Sequence, residues 1–347
     1  WGTNKIIINS NGLNYQGQDD TYTVEYNTDG QSVNIVYSDS TKGWVPLDDD
    51  ASAYEPTPPP TQKALFGYGT PASGPLLSMT NLVNSSGVVA LDTTGVGTAR
   101  MKLGAASYGI DKALFGYGYA ATYSSLTNLV SNSGVVALDT TGVGTAREGV
   151  GSATYGGDKA IFGYGYTGSN SSLTNLVSNS GVVAANTTGV GTARYYLAAA
   201  AYGTDKAIFG YGTTGSYTAV TNLVSNTGVV AADVTGVGST RDTLAAAGYG
   251  TDKAIFGYGN TGSKTAITNL VSNTGVVAAD VTGVGTARNA LAAAGYGGDK
   301  ALFGFGINGG ASSLTNLVSN TGVVAANTTG VGTVRYYPAA AGYSISA

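Results

Sequence analysis

The stretch Asp205–Gly212 reads DKAIFGYG, and close copies of it begin at Lys63, Lys112, Lys159, Lys206, Lys253 and Lys300. The first two starts lie 49 residues apart and the later ones 47, a period in the range of solenoid and propeller repeats. Each period continues with a polar loop, TNLV, a short turn, GVVA, then TGVGTAR or a close variant, and finally a Gly- and Ala-rich stretch. Every repeat therefore has room for four short segments.

The copy starting at Lys206 shows what those segments are. Lys206–Gly210 is a short apolar run ended by glycines, as a buried strand would be. Thr213–Thr218 is a polar loop, Val220–Val224 a second strand, Ser225–Gly228 a turn and Val229–Val234 a third strand. Leu244–Gly248 (LAAAG) competes as helix, because Ala is the best helix former. Gly and Tyr follow within a few residues, however, and a helix of four or five residues buries too little to hold. It is read as the fourth strand, whose small side chains suit the crowded centre of a ring of blades.

Composition narrows function by exclusion. The chain has 54 Gly in 347 residues, 10% charged residues, a formal charge of −4, no Cys and no His. Without Cys there is no disulfide framework; without His there is no ordinary zinc site and no Ser-His-Asp triad. No basic cluster is present to displace counterions from nucleic acid. No apolar run approaches the roughly 20 residues a membrane helix needs, so no membrane insertion is expected. The one acidic run, Asp48-Asp49-Asp50, precedes Glu55 and Pro56, Pro58, Pro59 and Pro60. It reads as a solvated linker rather than a calcium site. Gly95-Val-Gly97 and its counterparts open like a GxGxxG loop, but Arg100 stands where the third glycine should be and no helix follows, so they read as turns. Neither a catalytic residue, a metal nor a cofactor is expected. The chain begins at Trp1 without a leader pattern, which reads as a processed chain or a piece of a longer one.

The order TAR, small residues, YG, DKAIFGYG, loop, TNLVSNTG resembles the kelch motif across Lys63–Ala347. FGYG or FGFG stands where kelch repeats have a Gly-Gly pair, and Val229 and its equivalents stand where a late aromatic is expected. The resemblance implies an all-β, six-bladed β-propeller of four-stranded blades. The first copy begins at its second strand, and the chain runs on past Arg335 to YYPAAAGY at Tyr336–Tyr343. The expectation is that this C-terminal segment completes the first blade, closing the ring and removing an exposed edge.

Trp1–Leu47 does not repeat. Lys5–Ile8, Tyr22–Tyr26 and Val33–Tyr37 read as strands, with Asn27–Gly30 as a hairpin turn. A module of this size without disulfide or metal has a marginal core, which oligomerisation commonly remedies. Its ending, TDGQSVNIVYSDSTKGW, resembles small β modules of bacteriophage fibre and appendage proteins. That resemblance implies a virion-surface location, a homotrimer through residues 1–47, a spacer at 48–62, and other virion proteins as partners.

Comparison among the repeats marks a candidate face. The residues just after each Arg and the loops after FGYG vary, and both belong on one side of a four-stranded blade array. They carry Tyr119, Tyr123, Tyr166, Tyr195, Tyr196, Tyr217, Tyr336 and Tyr337. Tyrosine offers a flat apolar ring and a hydroxyl at low entropic cost, suited to a sugar face or a protein surface; it is also simply a good strand residue. Arg100, Arg147, Arg194, Arg241, Arg288 and Arg335 recur without change, as do Asp111, Asp158, Asp205, Asp252 and Asp299, with Gln62 in the sixth place. Such regular groups read as scaffold, each Arg meeting a nearby carboxylate or capping backbone carbonyls. The expected function is non-enzymatic: a virion appendage whose propeller binds a host cell-surface glycan or protein receptor. The alternative is a structural decoration that docks only onto other virion proteins.

Overall fold

The computed structural model describes residues 5–19, 21, 23–26, 33–47 and 62–343. The described chain is all-β, built from many small antiparallel sheets without a helix. It divides into two compact units, Trp1–Pro60 and Thr61–Ser346. The expected hairpin turn at Asn27–Gly30 and nearly all of the expected spacer at 48–62 fall outside the described residues.

In the first unit, Ile6–Ile8 pairs with Val24–Tyr26 and Ile35–Asp39 with Gly43–Pro46. The second pair shifts the expected Val33–Tyr37 strand by two residues and adds a partner strand. Asp39 sets the turn between them, its carboxylate accepting the Thr41 and Lys42 backbone N–H groups at 2.8 and 2.7 Å. The core is small: Tyr15, Val24 and Tyr26, flanked by Ile8, Val33, Ile35 and Trp44. Its two phenol hydroxyls, Tyr15 and Tyr26, hydrogen-bond to each other.

In the second unit every repeat follows one plan. The Ala/Gly-rich segments are strands, as at Ala198–Tyr202, which pairs antiparallel with Lys206–Gly210; that strand pairs in turn with Thr221–Val224. The last such segment, Ala339–Tyr343, pairs with Lys63–Gly69, setting Ala341 opposite Leu65. The GVVA segment, expected as the third strand of each repeat, is where the sequence reading needs correction. Only in the first repeat, at Val89–Thr93, does it form a continuous strand. In the other repeats the GVVA segment is held by two separate bridges, such as Val130 to Val136 and Thr127 to Thr140. The bridges differ in register by one residue, and the Asn128 side-chain amide donates to the Ala137 carbonyl at 3.0 Å in the gap. A side chain thus takes up a carbonyl that a regular ladder would use.

Burial explains the repeated phrase. Ala207, Ile208 and Phe209 are completely buried, covered on both faces, so the strand reads as a continuous apolar run. Its glycine is fixed by the neighbouring repeat: a Cβ on Gly210 would lie 2.7 Å from Phe256 Cζ. The same close approach joins Gly67 to Phe115, Gly116 to Phe162, Gly163 to Phe209, Gly257 to Phe303 and Gly304 to Phe66. Each apolar cluster therefore draws on two repeats; Ala198, Tyr202 and Ile208 pack with Ala254 and Phe256, and Ala292 and Leu302 pack with Phe66. The Ala-rich strands bury alternate residues and turn the others, Ala199 and Ala201 for example, toward a cavity of about 290 Å³ lined by such strands from all six repeats.

Candidate functional site

The two variable regions meet across consecutive repeats. The residue after each Arg bridges the start of the FGYG loop: Met101 to Tyr119, Glu148 to Tyr166, Tyr195 to Thr213, Asp242 to Asn260, Asn289 to Ile307 and Tyr336 to Thr70. Between the second and third repeats, for instance, Tyr166 N–H donates to the Glu148 carbonyl at 2.8 Å.

One residue further on, the chain does something the sequence does not announce. Lys102, Gly149, Tyr196, Thr243, Ala290 and Tyr337 all take left-handed backbone conformations, with φ between 49° and 63°. This costs about 1 kcal/mol or more for a side-chain-bearing residue. A cycle of backbone hydrogen bonds offsets the strain. Gly149 N–H donates to Lys102 O, Tyr196 to Gly149, Thr243 to Tyr196, Ala290 to Thr243, Tyr337 to Ala290, and Lys102 to Tyr337, at 2.7 to 3.2 Å. These six residues, with Leu103, Val150, Leu197, Leu244, Leu291 and Pro338, line a second cavity of about 70 Å³ that shares no lining residue with the larger one.

Seven of the eight singled-out tyrosines form one unbroken tract around this cycle. Ring centroids step from Tyr119 to Tyr123 (5.9 Å), Tyr166 (6.1 Å), Tyr195 (5.0 Å), Tyr196 (4.6 Å), Tyr337 (5.5 Å) and Tyr336 (5.4 Å). Tyr196 and Tyr337, three repeats apart, are stacked with their planes 16° apart. Tyr217 lies outside the tract, accepting a hydrogen bond from Asn260 Nδ2 at 2.7 Å. Burial, reinforced by nearby carboxylates and phenols, pushes the Tyr196 and Tyr337 hydroxyls well above the usual phenol range.

Charge is sparse on this face and gathers inside the tract. Lys102 Nζ lies 5.2, 5.5 and 5.9 Å from the ring centroids of Tyr196, Tyr337 and Tyr119, and 3.0 Å from Glu148 Oε1. The other oxygen, Glu148 Oε2, is buried with no hydrogen-bond partner, as is Asn289 Oδ1. Asp242 is buried, and that burial pushes its carboxyl up despite hydrogen bonds from Thr243 and Asn260. Lys102, Glu148, Asp242 and Asn289 were visible in the sequence only as variable positions. The partners of Lys102, Glu148 and Asn289 come from other repeats, 46 residues away in each case, so no local spacing could have found them.

The arginines lie beneath this surface. All six are completely buried. Arg194 stacks over the Tyr164 ring at 4.3 Å and donates from Nε to Tyr211 O, from Nη1 to Thr192 O and from Nη2 to Asn222 Oδ1. It thereby ties the third repeat to the fourth. Desolvation lowers the arginine pKa values, that of Arg335 to about 10, so the guanidinium stays charged at neutral pH. The structure separates these arginines from the five regular aspartates. The carboxylates nearest an arginine are Asp139, Asp280 and Asp92, at 3.6 to 4.0 Å. Asp111, Asp158, Asp205, Asp252 and Asp299 instead pair with the lysine that follows each of them, at 2.6 to 3.5 Å. Adjacent residues at the start of a strand reach each other without help from the fold. Gln62 takes the sixth place through its backbone and side-chain carbonyls, which accept from Gly297 and Gly298 N–H.

Among the described residues no three His, Cys, Asp or Glu side chains gather as metal ligands. The arrangement offers stacking surfaces, phenol hydroxyls and two acceptor oxygens short of donors, which is the chemistry of recognition. In comparisons with known proteins, no family model matches the chain and no curated protein matches it.

Proposed function

We propose that residues 63–343 form a six-bladed, kelch-like β-propeller closed by its C-terminal strand, and that its tyrosine-bearing face binds a host cell-surface glycan or receptor. The six-step cycles of backbone hydrogen bonds and of Phe-on-Gly contacts, together with the pairing of Ala339–Tyr343 with Lys63–Gly69, support the ring. The observation that carries the binding reading is the tyrosine tract. On a scaffold whose buried residues barely change from repeat to repeat, aromatic rings are concentrated in one continuous, half-buried arc, and aromatic residues dominate recognition surfaces. The protein is a non-enzymatic appendage of a virion surface. Its fibre-like first module makes it a homotrimer attached to other virion proteins.

The test is binding of the full chain to candidate host cells before and after their surface polysaccharide is stripped. Saturable binding is expected, together with a loss of about tenfold or more when Tyr195, Tyr196, Tyr336 and Tyr337 are changed together to Ala. Since Tyr196 and Tyr337 are well packed, the Tyr123→Ala, Tyr166→Ala double variant is measured alongside, with its melting temperature. Unchanged affinity in both folded variants would remove the tract from the site. Absence of cell binding altogether would favour a decoration that docks only within the particle.

A further inference from the structure

Resting on the reading that the tyrosine face binds at the cell surface, we infer that its ligand is a neutral polysaccharide rather than an acidic one, read by the tract and by the acceptor oxygens of Glu148 and Asn289. Three observations converge on this. The first is the shortage of available positive charge. Acidic sugars, phosphates and sulfates are held by convergent cations, above all bidentate Arg. Here the six arginines are completely buried and bonded to the scaffold. Lys102 is already held by Glu148 within a ring of phenols. Lys264, exposed at the start of the strand Lys264–Val271 in the fifth repeat, is one further charge.

The second observation is a surplus of acceptors. Glu148, nine-tenths buried, leaves Oε2 without a donor, and Asn289 leaves Oδ1 without one. A buried acceptor left unpaired is costly, and a ligand that supplies the missing donor recovers that cost. Sugar hydroxyls are such donors. An anionic group is not; it would bring further acceptors and negative charge next to Glu148 and Asp242.

The third is extent. The tract takes six centroid steps of 4.6 to 6.1 Å across residues of three repeats. The tract curls around Lys102, which lies 5.9 Å from Tyr119 and 5.5 Å from Tyr337, and so offers several stacking rings to adjacent sugars of a chain rather than one ring to a single sugar.

The experiment extracts the surface polysaccharide of the cells that bind the full chain and splits it on an anion exchanger into unretained, neutral and retained, acidic pools. Each pool then competes for the protein. The expected result is competition by the neutral pool, changing less than about twofold between about 0.05 and 0.5 M salt, since no ion pair is made. Glu148→Gln and Tyr123→Ala each weaken binding to that pool by about tenfold; Tyr123→Ala keeps the Lys102–Glu148 pair intact and so separates binding from folding. Competition by the acidic pool alone, weakening with salt, would overturn the neutral assignment and leave the glycan reading standing. Competition by neither pool would overturn both.

Discussion

Asp139 and Asn186 stand at matching positions of consecutive repeats, and both do the same work. Asp139 accepts from Thr98 N–H and Oγ1–H of the preceding repeat and from Asn128. Asn186 accepts from Thr145 N–H and Asn175 and donates to Thr145 Oγ1. Four repeats use Asp here and two use Asn. Burial would raise the carboxyls of Asp92, Asp139, Asp233 and Asp280, but hydrogen bonds from Thr or Ser and from Asn, with an arginine behind, outweigh it and hold them below the usual range. A depressed folded pKa contributes stability that is present above the unfolded value of about 3.9 and is lost as pH falls through the folded values. Changing all four aspartates to Asn, which the fold already accepts twice, should therefore flatten the fall in melting temperature between pH 7 and about pH 3. Equal acid sensitivity in the variant would place the linkage elsewhere. At this scale the sequence exposes the regularity of the arginines but not their partners. For Arg100 these are Tyr117 and Asn128, 17 and 28 residues on and in the next repeat.

The strand Lys206–Gly210 shows which parts of an element can be read locally. Its apolar run and terminal glycine identify a buried strand, and the short Ala-rich segments are strands for the reason that excludes them as helices: four or five residues cannot hold a helix. What the sequence hides is the purpose of the glycine. Gly210 has no strained backbone to accommodate; it makes room for Phe256. Gly210→Ala should overpack that contact and cost about 1–3 kcal/mol, read as a lower denaturation midpoint with an unchanged slope. A midpoint matching the parent would mean that the neighbouring repeat gives way freely. The tyrosine that follows is hidden for a related reason. Tyr211 adopts φ 64°, unusual for an aromatic residue, and is held there by the Arg241 guanidinium 4.2 Å from its ring and by its hydroxyl donating to Val237 O.

For the whole molecule the 47-residue period settles the repeat count, and the truncated first copy points to where the last strand belongs. The first and last strands of the second unit are one antiparallel pair, Lys63 opposite Tyr343. A chain ending after Arg335 loses this pair and leaves the ladder edge of Lys63–Gly69 open. It should lose its single cooperative melting transition and associate on a sizing column; a monomer melting as the parent does would count against a ring held shut by that strand. The GVVA strand was the least legible part: in five repeats it is reduced to two bridges, and in all six an Asn side-chain amide bonds into it, a contact that depends on the finished fold. The candidate face was half legible: variation marked the positions, while the tract that joins them exists only once distant repeats are brought together.

The cycle that runs from Lys102 through Tyr337 is made by main-chain atoms alone, at positions occupied by Lys, Gly, Tyr, Thr, Ala and Tyr. Its integrity is therefore indifferent to the letters written on it. Six slots on this cycle can be respelled one at a time, and on the proposed binding function a lineage carrying this array could change its ligand at the pace of point substitution, with no need to invent a new fold.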